Sequence, residues 1–198
     1  MAVSAGEVKL LRDKTGCGMM DCKSALTDAE GNFEKAVGIL RRKGLADLAK
    51  RADRAAKEGI VAAYIHGGGR IGVMVEVNCE TDFVAKNADF QRFAHDIAMQ
   101  VAAAAPIYVS RSDVPEEVID AERSIYRDQV AGQGKPEKVV DKIIEGKLEK
   151  YYETVCLMDQ AFVKDADVKI GDYLGELGSK IGENIGVRRF IRYLLGEE

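Results

Sequence analysis

Residues 70–79 read Arg-Ile-Gly-Val-Met-Val-Glu-Val-Asn-Cys, and this stretch decides the fold class. Apolar residues recur at every second position from Ile71 onward, which is the period of a β-strand with one buried face. A second apolar run, residues 60–66, lies before it across three glycines, which indicates a β-hairpin. A third run with strand character, residues 187–195, is predicted to complete a three-stranded antiparallel sheet.

Helical periodicity dominates the remaining sequence, so the predicted fold class is α+β. A helix is predicted at residues 88–104, where an apolar stripe ends before Pro106. Residues 113–155 predict an antiparallel helical hairpin with its turn at 132–136. Residues 169–181 predict one more helix, which its glycines weaken.

The N-terminal quarter of the chain predicts three short helices around a small core of their own. The second of these helices is predicted to bury a stripe formed by Met19, Cys22 and Leu26. Gly44 is predicted to stop the third helix, because glycine commonly ends helices. Residues 45–58, rich in Ala, Lys and Arg, then predict a helical linker.

Composition indicates a folded protein that needs no membrane. Apolar residues make up 46% of the chain and charged residues 31%, values typical of globular proteins. Apolar runs such as residues 101–105 are far too short to span a bilayer. The N-terminus shows neither the pattern of a secretory signal nor that of a transit peptide. We therefore expect a cytoplasmic protein without a membrane partner.

Charge is distributed unevenly along the chain. Residues 1–57 hold 12 Lys and Arg against 8 Asp and Glu, whereas the remainder is acidic and the whole chain has a net charge of −4. Nucleic-acid binding needs one concentrated basic face, so no direct nucleic-acid partner is expected. A mildly basic head fits docking to an acidic protein.

The sequence carries no familiar motif for catalysis or for a bound cofactor. The glycines at 67–69 do not form a phosphate-binding loop, because no Gly-Lys-Ser/Thr follows them. The four cysteines form no Cys-x-x-Cys pair, so buried, reduced thiols are expected rather than a metal site. Glu76, Glu80 and Asp82 could do acid–base work as a cluster, although a solvated strand end is the commoner reason for such a group.

Met20 is an apolar residue that the predicted head core does not explain. It lies about 100° around its helix from Met19, on the side of Lys23. A flexible methionine beside a lysine is typical of an adaptable docking surface. The alternative, that Met20 covers a small core, is about equally common.

Residues 78–87 are a second stretch whose apolar residues the predicted core does not explain. The strand alternation stops at Cys79, and a helix follows this stretch. Phe83 and Val84 stand there among charged residues. They either plug into the core of their own domain or are presented to another protein, and the pattern alone leaves both alternatives open.

These two stretches resemble the signatures of the elongation factor Ts family. The first reads Leu-Arg-Asp-Lys-Thr-Gly-Cys-Gly-Met-Met-Asp-Cys-Lys-Ser-Ala-Leu at 11–26, and the second reads Glu-Val-Asn-Cys-Glu-Thr-Asp-Phe-Val-Ala at 76–85. The resemblance continues to residues 181–189 and so covers nearly the whole chain. It departs at Cys17, where alanine is expected, and in having one copy of a sheet subdomain that longer members duplicate.

The resemblance implies a non-enzymatic guanine nucleotide exchange factor, without a cofactor, for the translation GTPase EF-Tu. It would bind EF-Tu both with GDP and without nucleotide. Residues 1–54 would be a three-helix ubiquitin-associated-like domain that docks on the GTPase. The implied contacts of this domain are Arg12, Met19, Met20 and Lys23.

The remaining residues, 55–198, would be an α+β core and dimerisation domain with the helical hairpin of residues 113–155 inserted in it. Its exchange loop would consist of Thr81, Asp82, Phe83 and Val84. Phe83 would act as a wedge near the switch region of the GTPase, and Asp82 would disturb the Mg²⁺ and phosphate site.

The single sheet subdomain also implies a homodimer, because a three-stranded half-core leaves a face or an edge uncovered. A dimer binding two GTPases would form a 2:2 complex. The competing functional class is an adaptor without exchange activity, which would need only residues 1–54. An enzyme using the Glu76, Glu80 and Asp82 carboxylates ranks below both.

Overall fold

The computed structural model describes residues 3–51, 53–131 and 136–197. Its helices are α1 (Ala5–Thr15), α2 (Met19–Asp28), α3 (Phe33–Arg51), α4 (Asp82–Ala85), α5 (Ala88–Ala104), α6 (Glu116–Val130), α7 (Glu137–Val155) and α8 (Ile170–Ile181). Its strands are β1 (Glu58–His66), β2 (Ile71–Cys79), β3 (Ala161–Phe162), β4 (Asp165–Lys169) and β5 (Gly186–Leu194). The α+β class predicted from the sequence is confirmed.

Helices α1, α2 and the first half of α3 enclose a small core of their own. Ser4 and Glu7 form a capping box at the start of α1, and Gly16 in the left-handed conformation ends that helix. The buried side chains of this core are Val8, Leu11, Cys17, Cys22, Ala25, Leu26, Ala29, Ala36 and Leu40.

The prediction that Gly44 stops the third helix is wrong. The helical character predicted for residues 45–58 is confirmed as far as Arg51, but as a continuation of the same helix. Helix α3 continues to Arg51 and packs along α8. A Cβ on Gly44 would lie 2.6 Å from the carbonyl oxygen of Gly175, so this glycine permits the two helices to approach closely. Arg41 Nε also contacts Glu176 Oε1 at 2.5 Å across the same interface.

The three-stranded antiparallel sheet is confirmed, with strand order β1-β2-β5. Val61 lies opposite Glu76 in the first pair, and Met74 opposite Ile191 in the second. A register shift between Glu76 and Val77 marks a bulge in the pairing with β5. One face of the sheet covers the main core, and the other faces outward.

Helix α5 packs on the inner face of the sheet, and its predicted bounds and apolar stripe are confirmed. Asn87 accepts hydrogen bonds from the first turn as N-cap, and Ala105 in the left-handed conformation ends the helix just before Pro106. The stripe that it buries consists of Phe90, Phe93, Ala94, Ile97 and Val101. This helix fixes β2, and therefore the point at which the chain leaves the sheet at Cys79.

Helices α6 and α7 lie side by side and run in opposite directions. Arg127 pairs with Asp141, and Arg123 with Glu145 further along. Arg111 anchors their base, because its guanidinium donates to Glu149 and Asp159. Most of the predicted turn, residues 132–135, lies outside the described residues.

The sequence did not indicate the short ribbon of β3 and β4 or the polar contacts beneath it. Asp96 is buried, and its carboxylate accepts from Lys164 Nζ at 2.6 Å and from the hydroxyl of Tyr173 at 3.1 Å. Burial next to this carboxylate raises the pKa of Tyr173, which therefore keeps its proton. These bonds join α5, the ribbon and α8 into one body.

Candidate functional site

The exchange loop predicted from the sequence is an ordered helical turn. Cys79, at the end of β2, is buried, and Thr81 accepts the N–H of Val84 as the N-cap of α4. Ala85 is buried and Val84 packs against the main core, so the turn is attached to the domain on one side. Sequence reasoning described this segment only as a loop, because a four-residue helix is too short to show a period.

Phe83 points away from this attachment and is 87% exposed. Of the two alternatives for the apolar pair, Val84 therefore takes the first, whereas Phe83 does not plug into the core of its own domain. An exposed phenylalanine on a capped turn is an unusual use of a large apolar side chain, and it marks a candidate contact with another protein.

Asp82 lies at the first position of α4 and is also exposed. Its carboxylate accepts from Lys86 Nζ at 2.5 Å, one helical turn later. The hydrogen bond raises the pKa of Lys86, which stays charged. Both side chains reach solvent, so the Asp82 carboxylate can leave this weak pair for a cation at small cost.

The segment after α8 holds the start of the loop. Glu183 Oε1 accepts from the Thr81 hydroxyl at 2.7 Å. Sequence reasoning missed this contact, although residues 181–189 belong to the family resemblance. No local pattern indicates which carboxylate a distant hydroxyl will meet.

The predicted docking residues of the head, Arg12, Met19, Met20 and Lys23, are all exposed. Met20 is 73% exposed and Met19 is 45% exposed.

The assignment of Met19 to the buried stripe is therefore wrong. It stands in the first turn of α2, and Cys17 takes the core position because the left-handed Gly16 turns the chain inward there. Sequence reasoning did not identify Leu10 as an exposed apolar residue of the head. Its position outside the buried stripe of Val8 and Leu11 could have indicated this.

The three carboxylates of the candidate enzyme site have separate partners. Glu76 Oε2 accepts from Arg189 Nε at 2.7 Å, which lowers the pKa of Glu76 and keeps it ionised. Glu80 Oε1 instead accepts the backbone N–H of Asn184 at 2.6 Å, and Asp82 pairs with Lys86. Three carboxylates with separate partners do not form an acid–base pair.

The cysteines offer no alternative nucleophile. All four are free and buried, as predicted. Burial raises the pKa of Cys79 and of Cys156 to about 11, so these thiols stay protonated.

The outer face of the sheet is a second exposed apolar surface. Met74 and Ile191 lie side by side in its middle row, with Glu76 and Arg189 in the row beside them. The exposed apolar side chains of this outer face are Val61, Ile65, Met74, Ile191 and Tyr193. Such a continuous patch is typical of a protein interface.

Neither a membrane span nor a metal site is found in the part of the chain that the structure describes. Its helices are all too short or too polar to cross a bilayer. Its His, Cys, Asp and Glu side chains also form no group of three or more that could hold a metal ion.

Comparisons with known proteins agree on one family. The family model described as Elongation factor TS matches residues 47–197. A protein named Elongation factor Ts from Moorella thermoacetica is 60% identical over 195 residues, which are 98% of this chain and 96% of that protein. The protein of the same name from Syntrophus aciditrophicus is 58% identical over 198 residues, all of this chain and 98% of that protein.

Proposed function

The chain belongs to the elongation factor Ts family, and from that premise we propose that it is the guanine nucleotide exchange factor of EF-Tu, working through Thr81, Asp82, Phe83 and Val84. The observation that carries the proposal is the exposure of Phe83 on a capped turn that buried Ala85 and half-buried Val84 attach to the main core. A side chain held outward in this way can enter a partner without refolding of its own domain.

Phe83 would act as a wedge in the GTPase. A buried aromatic contact that exists only in an opened conformer stabilises that conformer, and the population shifts towards it. Coupling of this kind is reciprocal, so nucleotide rebinding weakens the hold of the factor and GTP helps to release it. No bond in the nucleotide is made or broken, and the protein acts without enzymatic chemistry.

Asp82 would act on the Mg²⁺ of the partner. The cation neutralises the phosphates of GDP, and a carboxylate that disturbs its ligands exposes the anionic repulsion and loosens the nucleotide. The exposed pair with Lys86 leaves the Asp82 carboxylate within reach of solvent.

Residues 1–54 would form the ubiquitin-associated-like docking domain, and residues 55–198 the core that carries the loop. The exposed Met20 and Lys23 would contact the GTPase domain, together with Arg12 and Met19. The close packing of α3 on α8 supports this division of work, because it gives the head a fixed position relative to the core.

Catalytic release of GDP tests the proposal. EF-Tu loaded with fluorescent GDP is mixed with excess unlabelled GDP and a substoichiometric amount of the chain. We expect each molecule of the chain to release many molecules of fluorescent GDP. Binding without faster release would instead support the adaptor, and chemically altered nucleotide would support an enzyme.

We also propose a homodimer formed through the outer sheet face, which would bind two EF-Tu molecules in a 2:2 complex. The exposed Met74 and Ile191, at the centre of that face, supply the apolar contact that a dimer needs. Light scattering should give twice the chain mass of 21.6 kDa at micromolar concentration.

Met74→Glu should produce the monomer, because an unpaired charge would be buried at the centre of the interface. The matched control is Ile125→Glu, at an exposed apolar position on α6, and this variant should stay dimeric. A monomeric wild-type chain at high micromolar concentration would refute the dimer.

A further inference from the structure

A carboxylate that is distant in sequence holds the start of the exchange loop. Glu183 follows α8, and its Oε2 accepts the backbone N–H groups of Glu80 and Thr81, both at 3.1 Å. Its Oε1 accepts the hydroxyl of Thr81 at 2.7 Å. Hydrogen bonds to an ionised acceptor are about twice as strong as neutral ones, so this contact is firmer than an ordinary loop contact.

The two segments are linked in both directions. The backbone N–H of Asn184 donates to Glu80 Oε1 at 2.6 Å, and the Asn184 side chain donates to the carbonyl of Arg54 at 2.9 Å. The loop and the residues after α8 are therefore joined by hydrogen bonds in both directions, because each segment supplies both donors and acceptors.

The Thr81 hydroxyl transmits this contact into α4. Because it donates its single proton to Glu183, its lone pairs remain to accept the N–H of Val84 as the helix cap. Phe83 is too exposed to be fixed by its own packing. The direction of its side chain therefore depends on the backbone of α4.

The two ends of α4 are fixed by different groups. Ala85 is buried and Val84 packs on the main core, so apolar contacts fix the far end. At the near end, polar contacts fix Thr81. It donates two hydrogen bonds to Glu183 and accepts one from the N–H of Val84. The Cys79 thiol also donates to the Thr81 carbonyl at 3.2 Å.

Glu183 also connects the loop to the support of the head. It follows Gly182, the left-handed cap of α8, and α8 is the helix against which Gly44 packs. The proposed docking head and the proposed exchange loop are thus attached to the same short helix.

We propose that Glu183 is a positioning residue that holds residues 80–84 in the orientation in which Phe83 is presented. The expected effect of Glu183 on GDP release rests on the proposed exchange function. Its effect on the orientation of Phe83 does not. Glu183 acts through Thr81 and would itself touch neither nucleotide nor Mg²⁺.

A fluorescent reporter tests the geometry without any partner. The chain contains no tryptophan, so Phe83→Trp provides a single probe at the exposed position. We expect Glu183→Gln to increase the amplitude of fast, nanosecond anisotropy decay of this probe, because the amide is uncharged and offers one acceptor oxygen where the carboxylate offers two. Unchanged decay in a folded Glu183→Gln protein would overturn the proposal.

Glu153→Gln is the matched control, since Glu153 also pairs through both oxygens, with Lys150 and Lys169. It should leave the probe unaffected. An equal loosening of the probe by this control would also overturn the proposal. If Glu183→Gln does not fold, Thr81→Val should loosen the probe and Thr81→Ser should not.

Exchange kinetics test the consequence. Glu183→Gln should lower the maximal rate of GDP release about tenfold, the effect expected for lost charge-assisted hydrogen bonds, with the half-saturating concentration unchanged. In a Phe83→Ala background it should cause no further loss, whereas an additive loss would contradict action through Phe83. Glu183→Gln could loosen the probe while the wild-type chain releases no GDP. That result would support the positioning role and reject the exchange function.

Discussion

The head surface and the exchange loop both expose an apolar side chain, but they hold it in different ways. Met20 is an unbranched residue with a flexible side chain in the first turn of α2, on the same side of the helix as the exposed Lys23. Phe83 has two side-chain torsions and stands on a turn that Glu183 holds at one end and buried Ala85 at the other.

This difference suggests a division of work between binding and release. A flexible surface adapts to its partner and contributes affinity in any conformer that it contacts. A rigidly presented aromatic ring contributes energy only where a matching cavity exists, as in an opened conformer. We therefore expect changes in the loop to lower the rate of release and changes in the head to lower affinity.

Phe83→Ala should give the largest effect. Loss of a central aromatic anchor typically costs about 2 kcal/mol or more, so the maximal rate of GDP release from EF-Tu should fall at least roughly thirtyfold. Because Phe83 is exposed in the free chain, the melting temperature should stay near that of the wild type.

The control is Phe90→Ala, seven residues later on α5, where the ring is fully buried. This change leaves a cavity and should lower the free energy of unfolding by about 3–5 kcal/mol. Normal exchange by a folded Phe83→Ala protein would end the wedge hypothesis and remove the contrast between loop and head.

Asp82→Ala should give an intermediate loss, roughly five- to tenfold in maximal rate, because one charged interaction disappears while the wedge remains. Removal of Mg²⁺ with a chelator should mask this defect, since the proposed target of Asp82 is then gone. The Phe83→Ala defect should persist under the same conditions.

Lys86→Ala is the matched control for Asp82, because it breaks the same ion pair and leaves the carboxylate in place. We expect it to exchange GDP at close to the wild-type rate. If Lys86→Ala and Asp82→Ala are equally defective, Asp82 acts by stabilising α4 and not by disturbing the Mg²⁺ site.

The sheet and α5 could be predicted because their signals are local and repeated. Strict alternation along β2 and a long apolar stripe from Phe90 to Val101 each specify one buried face. The exposure of Phe83 could not be predicted, since a four-residue turn has no period and one aromatic residue fits either a core or a surface.

The errors arose where tertiary contacts override local preference. Gly44 looks like a helix stop in the sequence, but the approach of Gly175 makes it an interior packing position. Met19 looks like a core residue by spacing, but Cys17 fills that position after the left-handed turn at Gly16. Glu183 could not be assigned because its partners, Glu80 and Thr81, lie far away in sequence.

The smallest effect is expected in the head, from Met20→Ala combined with Lys23→Ala. Both side chains are exposed and neither belongs to the buried head core, so helical circular dichroism and the melting temperature should stay near wild type. The half-saturating concentration of EF-Tu should rise roughly threefold, as two contact residues of modest energy are lost. The maximal rate should be unchanged, because the loop is intact.

Leu26→Ala provides the opposite control, since it empties a fully buried position of the same helix and should lower stability by about 2–5 kcal/mol. A lower maximal rate with unchanged affinity in the double variant would contradict the division of work. Such a result would mean that the head surface, like Phe83, acts on the opened conformer of the GTPase, and that the rigid packing of α3 on α8 couples the two surfaces in one motion.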